Sequence, residues 1–202
     1  MLSVNFVLQS RKKAFNIPKN RLSGMKMADK IEELDLNGNL SKNELLSVLK
    51  KEAYCIHIID IMMADTFLRA DARYVPARYR DELLKISTKA FFTRIKDIKD
   101  DKKHYKGNVD VNKLKEFLNA LKKQRDDAKV NMELCFLKIA RIISVYTTFI
   151  REESIHPVGT PFPGGFKVRY DDGNYLCPVK EVQKKNPNAL CRFCISKQDE
   201  SV

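Results

Sequence analysis

The stretch AYCIHIIDIMMADTFL, residues 53–68, decides what kind of fold this sequence favours. His57, Asp60 and Asp65 are its only ionisable side chains apart from the tyrosine and cysteine near its start. A helix that is apolar around its whole circumference usually lies at the centre of a bundle. We therefore expect one long, buried helix over residues 45–68.

The rest of the sequence up to residue 153 is also helical in pattern. Ser41 and Glu44 form an S-x-x-E capping box, and Asp110 is suited to cap a later helix. Apolar residues at helical spacing predict further helices over residues 26–37, 77–99 and 111–150, the last as one helix or two. The fold class is therefore mainly α, a helical bundle of about five helices over residues 26–153.

The character of the sequence changes in residues 154–202, which hold three of the five cysteines and five of the seven prolines. The loop HPVGTPFPGG excludes a helix because of its prolines and glycines. Apolar residues then alternate on both sides of the turn DDGN, residues 171–174, which predicts a β-hairpin. We expect a small carboxyl-terminal unit of loop, hairpin and cysteine knuckle, packed on the bundle.

The amino-terminal residues 1–25 contain five basic and no acidic residues. Their apolar run precedes the charges, which is the reverse of a secretory signal peptide. The pattern predicts a flexible basic arm. Met25 and Met27 are alternatives to Met1 as the translation start, because they directly precede the first predicted helix.

The net charge of +12 is concentrated in residues 1–150, which carry 30 Lys and Arg against 19 Asp and Glu. Positive charge attracts nucleic acid, so a nucleic-acid-binding module is one hypothesis. Lysines dominate, however, and they are spread along predicted solvent faces, which favours an ordinary helix surface. No apolar run reaches the ~20 residues of a membrane-spanning helix, so membrane insertion is not expected.

Cys177, Cys191 and Cys194 are the strongest candidates for a functional site. The last two form a C-x-x-C pair, a spacing that lets both sulfurs face one ion. Cys177 supplies a third thiolate, and His156 on its Pro-containing loop is a candidate fourth ligand. The inventory fits a Cys3His zinc site, and it equally fits an iron–sulfur cluster. A redox-active dithiol and plain core cysteines are the alternatives.

A second group suggests an enzyme. His57 and Asp60 lie one turn apart on the helix expected to be most buried, and Glu133 in the other strongly apolar helix could meet them. A pocket between the bundle and the HPVGTPFPGG loop would give these residues acid and base roles. The competing interpretation is a core histidine that pairs with its neighbouring carboxylate. Whether the protein is an enzyme stays open at this point.

For three further features we favour a structural role over a functional one. Glu153 and His156 form an E-x-x-H, the motif of di-iron bundles, but it occurs once and Pro157 ends the helix. Cys55 and Cys135 lie in apolar runs and are expected to be buried free thiols. Arginines between residues 69 and 80 are expected to pair with Asp71, Asp81 and Glu82 rather than to bind an anion.

The motifs HPVGTPFPGG and YLCPVKEVQKKNPNALCRFCISKQ resemble the carboxyl-terminal signature of an uncharacterised archaeal family found mainly in methanogens. The resemblance is specific in residues 154–202 and looser in the helical part. It implies an archaeal cytoplasmic protein, and it implies no established activity.

Overall fold

The computed structural model describes residues 30–73, 75–186 and 189–202. The predicted arm, residues 1–25, lies outside this range, as do the first residues of the helix predicted at 26–37. Residues 30–37 form turns and bends, so for that part the helix prediction is wrong.

The prediction of a mainly α fold is confirmed. The described part contains five long helices, and a π-helical segment, Tyr146–Arg151, continues the fifth. The helices are α1 Lys42–Tyr54, α2 Ile58–Ala72, α3 Ala77–Asp100, α4 Val111–Asp126 and α5 Asn131–Val145. A short helix, α6 Lys180–Lys184, follows near the carboxyl end.

The single helix expected over residues 45–68 is in fact two helices. The chain leaves α1 at Cys55 and is extended at His57, with φ −100° and ψ 165°. The Asp60 carboxylate accepts a hydrogen bond from the His57 backbone N–H at 2.9 Å, which starts α2 as an amino-terminal cap does. His57 is therefore exposed and not buried, because it occupies a corner between helices.

The helix that is buried around most of its circumference is α5. Ile139, Ile142 and Val145 are completely inaccessible to solvent, and α5 packs most extensively on α2. The Phe136 ring of α5 meets Phe91 of α3 edge-on, with the ring centroids 5.8 Å apart. The core of the bundle thus lies around α5.

Residues 111–150 form two helices, which decides between the two sequence interpretations. Asp110 caps α4 by accepting a hydrogen bond from the Lys113 backbone at 3.0 Å, as its position predicted. The chain leaves the helix after Asp126 and resumes it at Asn131. Ser41 and Glu44 likewise form the expected capping box at the start of α1.

The predicted hairpin is confirmed. Strands β1, Arg169–Asp171, and β2, Asn174–Cys177, pair antiparallel across a turn in which Asp172 and Gly173 both have positive φ. A third strand, β3 Lys197–Gln198, pairs with β2 in parallel. Two residues are too short for an alternation pattern, which is why the sequence does not predict β3.

The carboxyl-terminal segment is packed on the bundle. The Phe193 ring meets Phe117 of α4 edge-on with centroids 5.1 Å apart, and Ile155 and Leu190 belong to the main hydrophobic core. The backbone N–H of Gly164 donates to the Tyr79 hydroxyl at 3.2 Å. These contacts hold the cysteine-bearing segments against the helices.

Candidate functional site

Two segments, the end of β2 and the C-x-x-C turn, carry the three carboxyl-terminal thiols to one region. Cys177 is the last residue of β2, Cys191 lies in a short 3-10 helix, and Cys194 follows that helix. The first two are buried, and Cys194 is half-buried. The charges of Cys177 and Cys194 both affect the pKa of Cys191, so the thiols lie within electrostatic range of one another.

The two buried thiols are poor acids. Burial, together with the charges of Cys177 and Cys194, raises the pKa of Cys191 to about 12, and Lys180 opposes this rise. Burial also raises the pKa of Cys177, and a hydrogen bond from the Val179 backbone opposes this effect. Without a cation that replaces their protons, Cys177 and Cys191 are therefore neutral thiols at neutral pH.

Backbone and hydroxyl groups surround the sulfur of Cys194. The backbone N–H of Ile155 donates to Cys194 Sγ at 3.4 Å. The Ser196 hydroxyl lies 3.4 Å from the same sulfur and donates to the Ser154 hydroxyl at 2.8 Å. A donor aimed at sulfur stabilises a thiolate and a metal-bound thiolate alike.

A buried lysine fastens the C-x-x-C segment. Lys180 is 8% exposed, and its Nζ donates to the carbonyl oxygens of Cys191 and, at 2.7 Å, Cys194. Lys180 follows Cys177 by three residues, so a single side chain connects the end of the hairpin to the C-x-x-C turn. No role was predicted for Lys180 from the sequence. Its position three residues after Cys177, in Cys-Pro-Val-Lys, was the one feature that could have linked it to the cysteines.

His156 is buried beside Phe162. Its ring meets Phe162 edge-on with centroids 5.5 Å apart, and Phe162 packs in a small apolar cluster with Val168 and Cys177. Burial holds the pKa of His156 well below its usual value. Within the described residues, its Nε2 has no hydrogen-bond partner, which is costly for a buried polar atom.

In residues 30–73, 75–186 and 189–202, no three His, Cys, Asp or Glu side chains are arranged as a metal-binding group. The three thiols lie near one another, as described above. Their side chains, however, do not have the geometry of a coordinated centre. The ligand set predicted from the sequence, including His156, stays a prediction.

The residues named in the enzyme hypothesis lie at the starts of helices. His57 and Asp60 begin α2 at the surface, as described above. Glu133 is buried near the start of α5, and its carboxylate accepts a hydrogen bond from the Lys129 backbone at 3.0 Å. Each carboxylate thus stabilises a helix amino terminus, and none of these contacts indicates catalysis.

The other sequence expectations have mixed outcomes. Cys135 is buried as expected, whereas Cys55 is exposed because it lies at the break after α1. Arg80 donates to three carbonyl oxygens at the end of α2, those of residues 72, 73 and 75. Arg69 pairs with Asp65 at 2.6 Å, a carboxylate that was not among the partners expected for it.

Glu153 is part of an ion-pair group and not of a metal motif. Its two carboxylate oxygens contact Arg94 of α3 and Arg151 of the π-helix, each at 2.6 Å. Glu152, between the two segments, has left-handed backbone angles of φ 51° and ψ 50°. The group attaches the start of the carboxyl-terminal segment to the bundle.

Within the described residues, none of the helices has both the length and the hydropathy needed to cross a membrane.

Comparison with known proteins places the sequence among archaeal proteins. The family model described as "Uncharacterized protein conserved in archaea (DUF2115)" matches residues 41–199. That range includes all three carboxyl-terminal cysteines and His156. No solved structure matches the chain.

Similar proteins occur in methanogens. A UPF0305 protein of Methanothermobacter thermautotrophicus is 53% identical over 163 residues, which cover 81% of this chain and 99% of the relative. A second UPF0305 protein of that organism is 34% identical over 76% of this chain and 94% of its own length. UPF0305 protein MJ0646 of Methanocaldococcus jannaschii is 32% identical over 78% and 96% of the two chains.

Proposed function

This chain belongs to the archaeal family DUF2115, as the resemblance of its carboxyl-terminal motifs implied, and we propose that it binds a thiophilic metal centre through Cys177, Cys191 and Cys194. The centre is a zinc ion or an iron–sulfur cluster. His156 is the proposed fourth ligand. A cytoplasmic location suits this proposal, because cysteines remain reduced there.

The observation that carries the proposal is the convergence of three thiols from two segments, the end of β2 and the C-x-x-C turn, with N–H donors directed at two of them. Val179 donates to Cys177 and Ile155 donates to Cys194. Hydrogen bonds to sulfur are a regular part of thiolate metal sites, where they tune the charge on the ligands. Ordinary core cysteines have no need of such donors.

Binding requires two changes in the site. The side chains must rotate so that the sulfurs approach the 2.3 Å zinc–sulfur distance of such centres. The buried thiols must also lose their protons, which only a strongly thiophilic cation can bring about at neutral pH. Because the end of β2 supplies one ligand and the C-x-x-C turn supplies two, the metal would join these two segments and stabilise residues 154–202.

Metal analysis of protein purified without oxygen tests the proposal. We expect one zinc ion or one iron–sulfur cluster per chain in the parent protein and a large loss in Cys191→Ser. Zinc without visible absorption indicates a structural ion, whereas iron with acid-labile sulfide indicates a cluster. Parent protein that stays metal-free after anaerobic purification and after incubation with zinc, or with iron and sulfide, would exclude the proposal.

A further inference from the structure

We infer that Lys180 is the counter-charge of a trithiolate metal centre, so that the site binds a centre whose core carries two positive charges. This inference rests on the proposed function and specifies its chemistry. Two properties of Lys180 support it: the place of its ammonium group against the carbonyl oxygens of Cys191 and Cys194, and the lack of a carboxylate partner in the described part of the chain.

The ammonium group of Lys180 is in an unusual position for a positive charge. It is buried, and both of its hydrogen bonds go to neutral carbonyl oxygens, those of Cys191 and Cys194. Among the described residues, no carboxylate forms an ion pair with it. A buried charge without an opposite charge is strongly unfavourable, which is why such charges are normally paired.

The nearby carboxylates are engaged elsewhere. Asp199 is bound by the guanidinium of Arg169 at 2.6 and 2.7 Å. Glu181, the next residue in α6, is exposed and lies 3.7 Å from Lys184. The thiols of Cys177 and Cys191 can also become negative, and Lys180 lowers the pKa of both.

The charges balance when a doubly charged centre binds. A divalent ion and three thiols give a complex of charge −1 and three protons, which leave to solvent. The Lys180 ammonium, of charge +1, makes the buried site neutral. A neutral fourth ligand such as the His156 imidazole leaves this sum unchanged. An iron–sulfur core of charge +2 with three thiolates gives the same balance.

Lys180 also fixes the position of the ligands. Its two hydrogen bonds hold the carbonyl groups of Cys191 and Cys194 on one side of the C-x-x-C turn. Its own backbone lies in the first turn of α6, directly after the Cys177 segment. Lys180 is thus a positioning residue that acts through the three cysteines.

Zinc affinity of the full chain tests the inference, with a chromophoric chelator as competitor. Lys180→Met removes the charge and the donors, and Lys180→Gln removes the charge but keeps a donor. We expect each variant to bind one zinc ion about 10- to 100-fold more weakly than the parent, the usual effect of losing a group that supports metal ligands. Lys184→Met, an exposed residue of the same helix, is the matched control and should equal the parent.

Cobalt(II) separates charge compensation from a purely structural role, because its sulfur-to-metal absorption increases with the number of bound thiolates. At neutral pH we expect weaker absorption in Lys180→Gln than in the parent, and recovery as the pH is raised. Parent-like zinc affinity in Lys180→Gln, or cobalt absorption that does not recover, would overturn the inference while the metal site stands. Absence of binding in the parent would overturn both proposals.

Discussion

Arg169 binds the carboxylate of Asp199 through two hydrogen bonds, Nε to Oδ2 at 2.6 Å and Nη2 to Oδ1 at 2.7 Å. Arg169 begins β1, and Asp199 directly follows β3, so the pair spans the three-stranded sheet. The backbone N–H of Asp199 also donates to the carbonyl of Cys177 at 3.1 Å. The pair therefore fixes the last residues of the chain beside the thiols.

This ion pair makes stability depend on pH in the acid range. The hydrogen bonds from Arg169 and Ser201 hold the pKa of Asp199 well below its usual value. A lowered pKa stabilises the folded state above the unfolded pKa of about 3.9, and this contribution is lost as the pH falls toward the folded pKa. We expect Asp199→Asn to lower the urea midpoint at pH 7, and the difference from the parent to shrink below about pH 3.9. A difference that is constant over this range would contradict the assignment.

The proposed metal site predicts non-additive losses. Replacing any one of Cys177, Cys191 and Cys194 with Ser should remove most of the bound metal, and a double variant should lose little more, because one missing thiolate already opens the site. Cys55→Ala and Cys135→Ala are the controls, and their metal content should equal that of the parent. Metal content measured after purification checks both. Parent-like metal in Cys191→Ser would show that the cysteines do not share an ion.

His156 allows metal binding and stability to be distinguished. Its Nε2 is buried without a partner in the described structure, so His156→Leu should leave the free energy of unfolding of metal-free protein unchanged or higher. If His156 is the fourth ligand, the same variant should weaken metal binding, though less than a cysteine variant, because solvent can fill the position. Unfolding in urea with chelator and zinc competition measure the two effects. Unchanged zinc affinity would remove His156 from the ligand set.

Asp101 is held by two tyrosines. Its Oδ2 accepts from Tyr146 at 2.6 Å and from Tyr105 at 2.8 Å. Burial alone would raise the pKa of Asp101, but these hydrogen bonds and that of the Lys103 backbone lower it overall. Tyr146→Phe should cost about 1–3 kcal/mol of stability, the usual effect of unpairing a buried charged group. Tyr105→Phe, at a more exposed hydroxyl, should cost less in the same urea experiment; the reverse order would contradict this account.

Gly164 is required by the loop that contacts Tyr79. Its φ is +99°, and a Cβ there would lie 2.7 Å from a ring carbon of Phe166. Gly164→Ala should therefore destabilise the protein by about 1–3 kcal/mol, the range for strained backbone positions. Gly38→Ala is the control, because a Cβ at Gly38 meets no atom within 4 Å. Thermal unfolding compares them, and equal midpoints would show that the loop adapts.

The elements that depend on residues close together in the chain could be predicted from the sequence. The Ser41 and Asp110 caps and the hairpin turn follow from local hydrogen bonding and backbone preference, and the structure confirms them. The strongly apolar composition of the segment that forms α5 was also recognised from the sequence. A helix that is apolar around its circumference is stable when it is buried. The family resemblance depended in the same way on a continuous run of residues.

Which groups meet over long distances along the chain depends on the tertiary fold. The corner at His57 was not predicted because both flanking segments are helical and apolar, and the single polar contact from Asp60 starts the new helix. Lys180 has the composition of a surface lysine, yet the fold buries it against two carbonyl groups eleven and fourteen residues away. The mainly α class, the hairpin and the cysteine inventory could be predicted from the sequence, whereas the turns at residues 30–37 and the break at His57 could not. The packing of residues 154–202 on the bundle determined which thiols, donors and charges share one site, because those contacts depend on how separate segments are brought together.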